Sequence, residues 1–173
     1  MTLNIPNPKV IIHTTYGPIT VELFVNKVPK TVENFLQYVD DGFYINTLFH
    51  RVIDRFIVQG GGFQIGMVQK TTRPPITNEI KNGLRNEMAT VAMARVAGDT
   101  HSATSQFFIN TQDNESLNRH NNNTDPAGYC VFGKVLEGMA VIERIEGSPT
   151  STHGEHENVP VQDIFIQLIE RMN

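Results

Sequence analysis

Short β-rich runs broken by turn residues fill most of this chain, and no other feature constrains its fold as strongly. Phe56-Ile57-Val58-Gln59, Thr90-Val91-Ala92-Met93, Gln106-Phe107-Phe108-Ile109 and Tyr129-Cys130-Val131-Phe132 are bounded by Gly, Asn or polar residues, as short strands are. The beginning reads as a hairpin. Val10, Ile12 and Thr14 alternate, Tyr16-Gly17-Pro18 supplies turn chemistry, and Ile19, Val21 and Leu23 alternate again. Val161 to Ile169 reads as a closing strand. The helical period shows clearly in only two places. Val32, Phe35, Leu36 and Val39 fall at i, i+3, i+4 and i+7, with Pro29 in the first turn and Gly42 at the stop. Met139, Ile142 and Ile145 share one face of a second helix over Gly138 to Glu146. Many short strands with two helices predict a mainly β fold, a closed antiparallel barrel with the helices over its ends.

A chain of 173 residues, 39% hydrophobic and 18% charged, is long enough for one globular domain spanning 1–173 and needs no disulfide staple. The single cysteine, Cys130, excludes an intramolecular disulfide. A net charge of −4 argues against nucleic acid or an anionic membrane as principal partner, because both call for clustered Lys and Arg. The segment from Met1 to Lys9 lacks the basic start and apolar run of a signal peptide, and no stretch approaches the ~18 apolar residues of a membrane span. A cytoplasmic protein is the expectation, monomeric because no oligomerisation element is apparent. The stretches Asn118 to Gly128 and Gly147 to Pro160 are polar and read as loops.

Several catalytic signals fail on inspection. Gly128 to Lys134 has the Gly and Lys spacing of a phosphate-binding loop, but Val135 stands where a hydroxyl should meet Mg²⁺. Gly60-Gly61-Gly62 lacks the last glycine of a dinucleotide fingerprint and reads as a bend. His153, Glu155 and His156 read as a solvated loop, with no metal expected. Cys130 sits among strand residues as a small core hydrophobe; a hydrolase using it or a histidine is a remote alternative.

The informative segments are Phe49-His50-Arg51-Val52-Ile53 with Phe56 to Gly61, Met93-Ala94-Arg95, and Ser105-Gln106-Phe107-Phe108-Ile109-Asn110. In a straight strand Phe107 and Ile109 face one way and Gln106, Phe108 and Asn110 the other. One face enters a core, and the opposite face presents an amide beside an aromatic ring. Joined by Arg51, Phe56 and Gln59, it makes an apolar pocket edged by hydrogen-bond donors.

With Lys30-Thr31-Val32-Glu33-Asn34-Phe35 and Val131-Phe132-Gly133-Lys134-Val135, these blocks closely resemble the cyclophilin family of peptidyl-prolyl cis-trans isomerases, from about Val10 to Ile169. His101-Ser102-Ala103-Thr104 and the longer loop before Gly128 look most like the compact cytoplasmic bacterial members. The resemblance implies an eight-stranded antiparallel barrel capped by two helices. It implies Arg51 as the catalytic residue, with Phe56 and Gln59 beside it. Phe56, Ile57, Phe108, Leu117 and Tyr129 would line a proline pocket, and Gln59 and Gln106 would hydrogen-bond the substrate. His50 would lie at the rim or behind it, and Ala94 and Arg95 would meet the peptide before the proline, chiefly through backbone. The partners implied are proline-containing peptides and unfolded proteins, with no cofactor. The alternative is a proline-segment binding module or chaperone whose isomerisation is incidental.

This chain departs from the family pattern in places. Ser116 lies just before Leu117 where many members carry tryptophan, and the chain has no tryptophan, which predicts weak cyclosporin binding. Tyr129 stands where many eukaryotic members have histidine, Arg95 replaces a frequent asparagine, and Ile57 a frequent methionine. Asp54-Arg55 replaces a common Pro-Gly or Asn-Gly turn.

Overall fold

The computed structural model describes residues 4–123 and 125–173. The first residues of the N-terminal segment considered above, and Thr124 of the polar loop, lie outside the described residues. The predicted hairpin is present as β1 (Lys9–Thr14) and β2 (Gly17–Leu23), paired antiparallel from Lys9↔Glu22 to Thr14↔Gly17. Helix α1 (Pro29–Asp40) follows. It ends where Gly42 takes φ of 69° and the Phe43 N–H donates to the Tyr38 carbonyl, a left-handed stop that glycine adopts without a Cβ clash.

Then come β3 (Thr47–Leu48), β4 (Arg51–Ile53), β5 (Ile57–Gly60), β6 (Phe63–Gln64), β7 (Val68–Gln69), β8 (Thr90–Met93) and β9 (Phe107–Asn110). The chain closes with β10 (Val131–Glu137), α2 (Met139–Glu146), β11 (Thr150–His153), β12 (His156–Pro160) and β13 (Phe165–Arg171). Tyr129 and Cys130 precede β10 instead of opening it, and β13 begins at Phe165, leaving Val161 exposed. The stretch from Gly147 to Pro160, expected as a loop, contains the β11–β12 hairpin, with Thr150 opposite Pro160 and His153 opposite His156.

The closed eight-stranded barrel is corrected in the same way. Nine strands form one curled sheet in the order β3-β13-β1-β2-β10-β8-β9-β5-β4, and no ladder joins its ends among the described residues. The end strands β3 and β4 are consecutive in the chain, so curling brings the margins together without pairing them. A single backbone bond, Gly61 N–H to the Leu48 carbonyl at 3.3 Å, crosses near the seam. A Cβ on Gly60 would lie 2.6 Å from that carbonyl, so this approach needs glycine.

The concave face of the sheet holds the main core. Val10, Ile12, Val21, Val91, Phe107, Ile109 and Phe132 are all at most 1% exposed there. Helix α1 covers it with Val32, Phe35, Leu36 and Val39, and α2 with Ile142 and Ile145. Phe35 packs edge-on against Phe107 at 5.6 Å and tilted against Phe132 at 5.2 Å. With these residues committed inward, strand alternation turns their neighbours to the convex face.

Candidate active site

Sheet register places one row of side chains across that convex face. Arg51 pairs with Gln59, Gln59 with Phe108, Phe108 with Ala92, and Ala92 with Val131. The row belongs to a second apolar cluster, separate from the main core. Ile57, Ala92, Ala94, Phe108 and Val131 are its buried members, and Phe56, Leu117 and Tyr129 pack around them half-buried. Phe108, only 2% exposed, forms the floor, and Tyr129 meets it edge-on at 5.8 Å.

Polar groups edge this floor as a chain. Arg51 Nη1 donates to Gln59 Oε1 at 3.1 Å, and Gln59 Nε2 donates to Gln106 Oε1 at 3.0 Å. Each glutamine orients the next group, and the chain leaves the Gln106 amide nitrogen and the rest of the guanidinium as donors. The Gly60-Gly61-Gly62 bend makes room for it: a Cβ on Gly62 would lie 2.5 Å from Gln106 Cγ. Arg55, in the Asp54-Arg55 turn between β4 and β5, takes a left-handed φ of 55°, a conformation in which glycine is easier, and its N–H is anchored by Glu146 Oε2 at 2.9 Å.

Arg51, Phe56, Ile57, Gln59, Ala94, Gln106, Phe108, Leu117 and Tyr129 are thus brought to one face. Two other candidates are placed differently. The Arg95 side chain is 2% exposed and turned behind the face, where it pairs with Asp125 at 2.9 Å and donates to the Gly128 carbonyl at 2.7 Å. Its guanidinium lies 4.4 Å from the centre of the Tyr129 ring, which it stacks from behind. That pairing holds the Asp125 carboxyl below its ordinary pKa through the Arg95 hydrogen bond. His50 is 5% exposed and stacks on Phe63 at 4.5 Å. Burial, with the nearby His156 and Arg51, lowers its pKa to about 4, so it is neutral at physiological pH.

Sequence reading missed a buried asparagine network behind the face. Asn110 Nδ2 donates to Asn86 Oδ1 at 3.0 Å, and Asn114 Nδ2 to Asn110 Oδ1 at 2.8 Å. Asn86 Nδ2 reaches the carbonyls of Leu117 and Tyr129, each at 3.1 Å, and Asn114 Nδ2 reaches that of Phe56 at 2.9 Å. Asn118 Oδ1 accepts from the Asn86 backbone N–H at 2.6 Å. Three of the aromatic and aliphatic walls are therefore tied to one polar knot. Asparagine in a loop carries the ordinary signal of a turn, and only Asn110, facing away from the core beside Phe108, offered a hint.

A concavity of about 620 Å³ lies elsewhere, between Lys27, Glu79, His101 and Arg119. Cys130, 4% exposed, has its pKa raised to about 11 by burial, which favours a neutral thiol over the thiolate that a cysteine nucleophile needs. Among the described residues no three His, Cys, Asp or Glu side chains are grouped to hold a metal, and no helix is long and apolar enough to cross a membrane.

A half-buried arginine beside an apolar floor, with paired amides along its edge, on a curled antiparallel sheet capped by two helices, defines a known class. The chain belongs to the cyclophilin-type peptidyl-prolyl cis-trans isomerases: the family model described as cyclophilin type peptidyl-prolyl cis-trans isomerase/CLD matches residues 9–171. Among its relatives, peptidyl-prolyl cis-trans isomerase B of Escherichia coli (strain K12) is 49% identical over 160 residues, covering 92% of this chain and 97% of that protein. An isomerase of Streptomyces antibioticus is 51% identical over 156 residues, covering 90% and 93%. The crystal structure of a cyclophilin-type isomerase of Cryptosporidium parvum superposes with a TM-score of 0.78 at 29% identity, covering 96% of this chain and 98% of that one. A second structure of that protein, in the presence of the dipeptide Ala-Pro, gives the same score and identity.

Proposed function

We propose that this chain accelerates cis–trans isomerisation of Xaa-Pro bonds in peptides and in unfolded or flexible protein segments, with the proline seated on Phe108 and Arg51 acting on its amide. The observation that carries this reading is the Arg51–Gln59–Phe108 row, which sets a guanidinium on the strand next but one to the aromatic floor. Amide resonance gives the bond a rotational barrier of about 18–20 kcal/mol. As the bond twists, resonance is lost, the proline nitrogen pyramidalises and its lone pair returns. A guanidinium N–H donates to that lone pair far better than to the planar ground state, and such a difference is what catalysis requires. Arg51 can also hold the prolyl carbonyl. Gln59 fixes the guanidinium, and Gln106, at the end of the chain of amides, presents its amide to substrate backbone.

Phe56, Ile57, Leu117 and Tyr129 wall the ring in, while the acyl group before it rotates. Ala94 meets that part of the peptide through backbone. Arg95, on this reading, supports Tyr129 in place of touching substrate with its side chain. The Cryptosporidium parvum structure with Ala-Pro shows a proline dipeptide used with a relative of the same fold. Exposed Ser116 and the missing tryptophan support weak cyclosporin binding, and a monomeric, cytoplasmic, single-domain protein completes the reading.

The test follows a cis-enriched Xaa-Pro peptide relaxing to equilibrium, by NMR exchange without a helper protease. Relaxation faster than the uncatalysed tens to hundreds of seconds, in proportion to protein concentration, is the expected result. Binding with no acceleration would make the chain a proline-segment binding module.

A further inference from the structure

The β11–β12 hairpin does not dangle. Strand β12 packs against β4, the strand of Arg51. Phe63 meets two imidazoles, His50 tilted at 4.5 Å and His156 edge-on at 5.1 Å, so the hairpin is seated on the sheet through aromatic contact. Between hairpin and strand lies a cavity of about 270 Å³ lined by His50, Arg51, Glu155, His156, Glu157 and Asn158. It adjoins the candidate active site at the margin away from Ala94 and Tyr129.

Two independent observations say what this cavity takes. Glu155 and Glu157 are exposed and form no ion pair among the described residues. His50, which also lines the cavity, is 95% buried, yet its Nδ1 has no hydrogen-bond partner. The one arginine there, Arg51, has Nη1 engaged by Gln59 on the side of the groove. The cavity therefore sets two unpaired carboxylates beside a single arginine that Gln59 already engages.

We infer that this cavity is a substrate subsite that receives a lysine or arginine side chain from the residues following the proline. The inference rests on the isomerase reading, which seats the proline on Phe108 and the preceding residues near Ala94. The chain after the proline then leaves the groove past Arg51, towards the hairpin. A long cationic side chain threads its stem along the His156 face and sets its charged head between Glu155 and Glu157, in reach of His50.

The experiment uses three peptides of sequence Ala-Ala-Pro-Ala-Xaa, with Xaa as Lys, Ala or Glu, assayed by NMR exchange for kcat/KM and by NMR titration for Kd. The wild type should favour the Lys peptide over the Glu peptide by about fivefold at low ionic strength, the scale of two exposed ion pairs, with the preference fading as salt rises. The surface double variant Glu155→Gln/Glu157→Gln should lose the preference, and Glu155→Lys/Glu157→Lys should invert it, while all three proteins turn over the Ala peptide equally. Equal handling of Lys and Glu peptides by the wild type, or a preference that survives the Gln substitutions, overturns the subsite. Lys-selective binding with no acceleration of any peptide would support the subsite and overturn the isomerase reading.

Discussion

Replacing Arg51 with alanine separates catalysis from architecture. In the structure Arg51 is half-buried on the end strand β4 and makes one side-chain hydrogen bond, to Gln59, whose own amide still donates to Gln106 after the change. Losing one such bond costs about 1 kcal/mol of stability. For a chain of this size that corresponds to a drop in Tm of about 2–4 °C. The effect on the transition state is larger. A preorganised donor aimed at charge that develops during reaction contributes a factor of about 10²–10³, or about 2.7–4 kcal/mol. Arg51→Ala should therefore lose about 10²–10³ in kcat/KM for an Ala-Pro peptide while its circular dichroism and Tm stay near wild type. Arg51→Lys should recover only part of this, since an ammonium lacks the fork that engages Gln59 and substrate together. A loss below about threefold in folded Arg51→Ala would remove the guanidinium from the mechanism, because no donor worth that little distinguishes twisted from planar amide.

Other perturbations test the surroundings. Asn86→Ala deletes the amide that reaches the Leu117 and Tyr129 carbonyls and Asn118, and should cost about 2–4 kcal/mol in urea denaturation with KM rising more than kcat falls. His50 has a folded pKa of about 4 against 6.5 when unfolded, so its contribution to stability is complete above pH 6.5 and is lost as the pH falls towards 4. That loss amounts to about 3 kcal/mol in wild type and should be absent from the pH profile of His50→Gln, as read by denaturation across this range. Cys130→Ala should keep wild-type turnover and cost about 1 kcal/mol of stability, since the thiol is neutral and packs as a small hydrophobe; collapse of activity in a folded variant would contradict this.

How far the sequence could be read depended on whether a signal was local. Helix α1 was legible because Val32, Phe35, Leu36 and Val39 must share a face whatever surrounds them, and the same logic revealed β1, β2, β8 and β9. Strands β3, β6 and β7 have only two residues each, too few for any alternation to show. The β11–β12 hairpin was hidden because β11, Thr150–His153, is exposed throughout and carries no apolar stripe. Closure of the sheet depends on whether β3 and β4 pair, and no pattern within either strand encodes that. Within the site, the residue types were legible through the family resemblance. Their common row was not, because it follows from register between strands far apart in sequence. The resemblance placed Arg95 near substrate chiefly through its backbone; that its side chain braces Tyr129 was not legible, because that role is set by Asp125 and Gly128 on a distant loop.

The unsealed margin has a consequence for motion. Strand β4 has a ladder partner on one flank only, β5, while β1, β2, β10, β8, β9 and β5 are each held on both flanks. Amide protons of Arg51 to Ile53 facing the gap should thus trade with solvent before those of the central strands, through openings that cost far less than unfolding the whole molecule. The guanidinium rides on an edge strand of the sheet. A side chain that must follow a nitrogen through a half-turn is mounted where the backbone beneath it can yield.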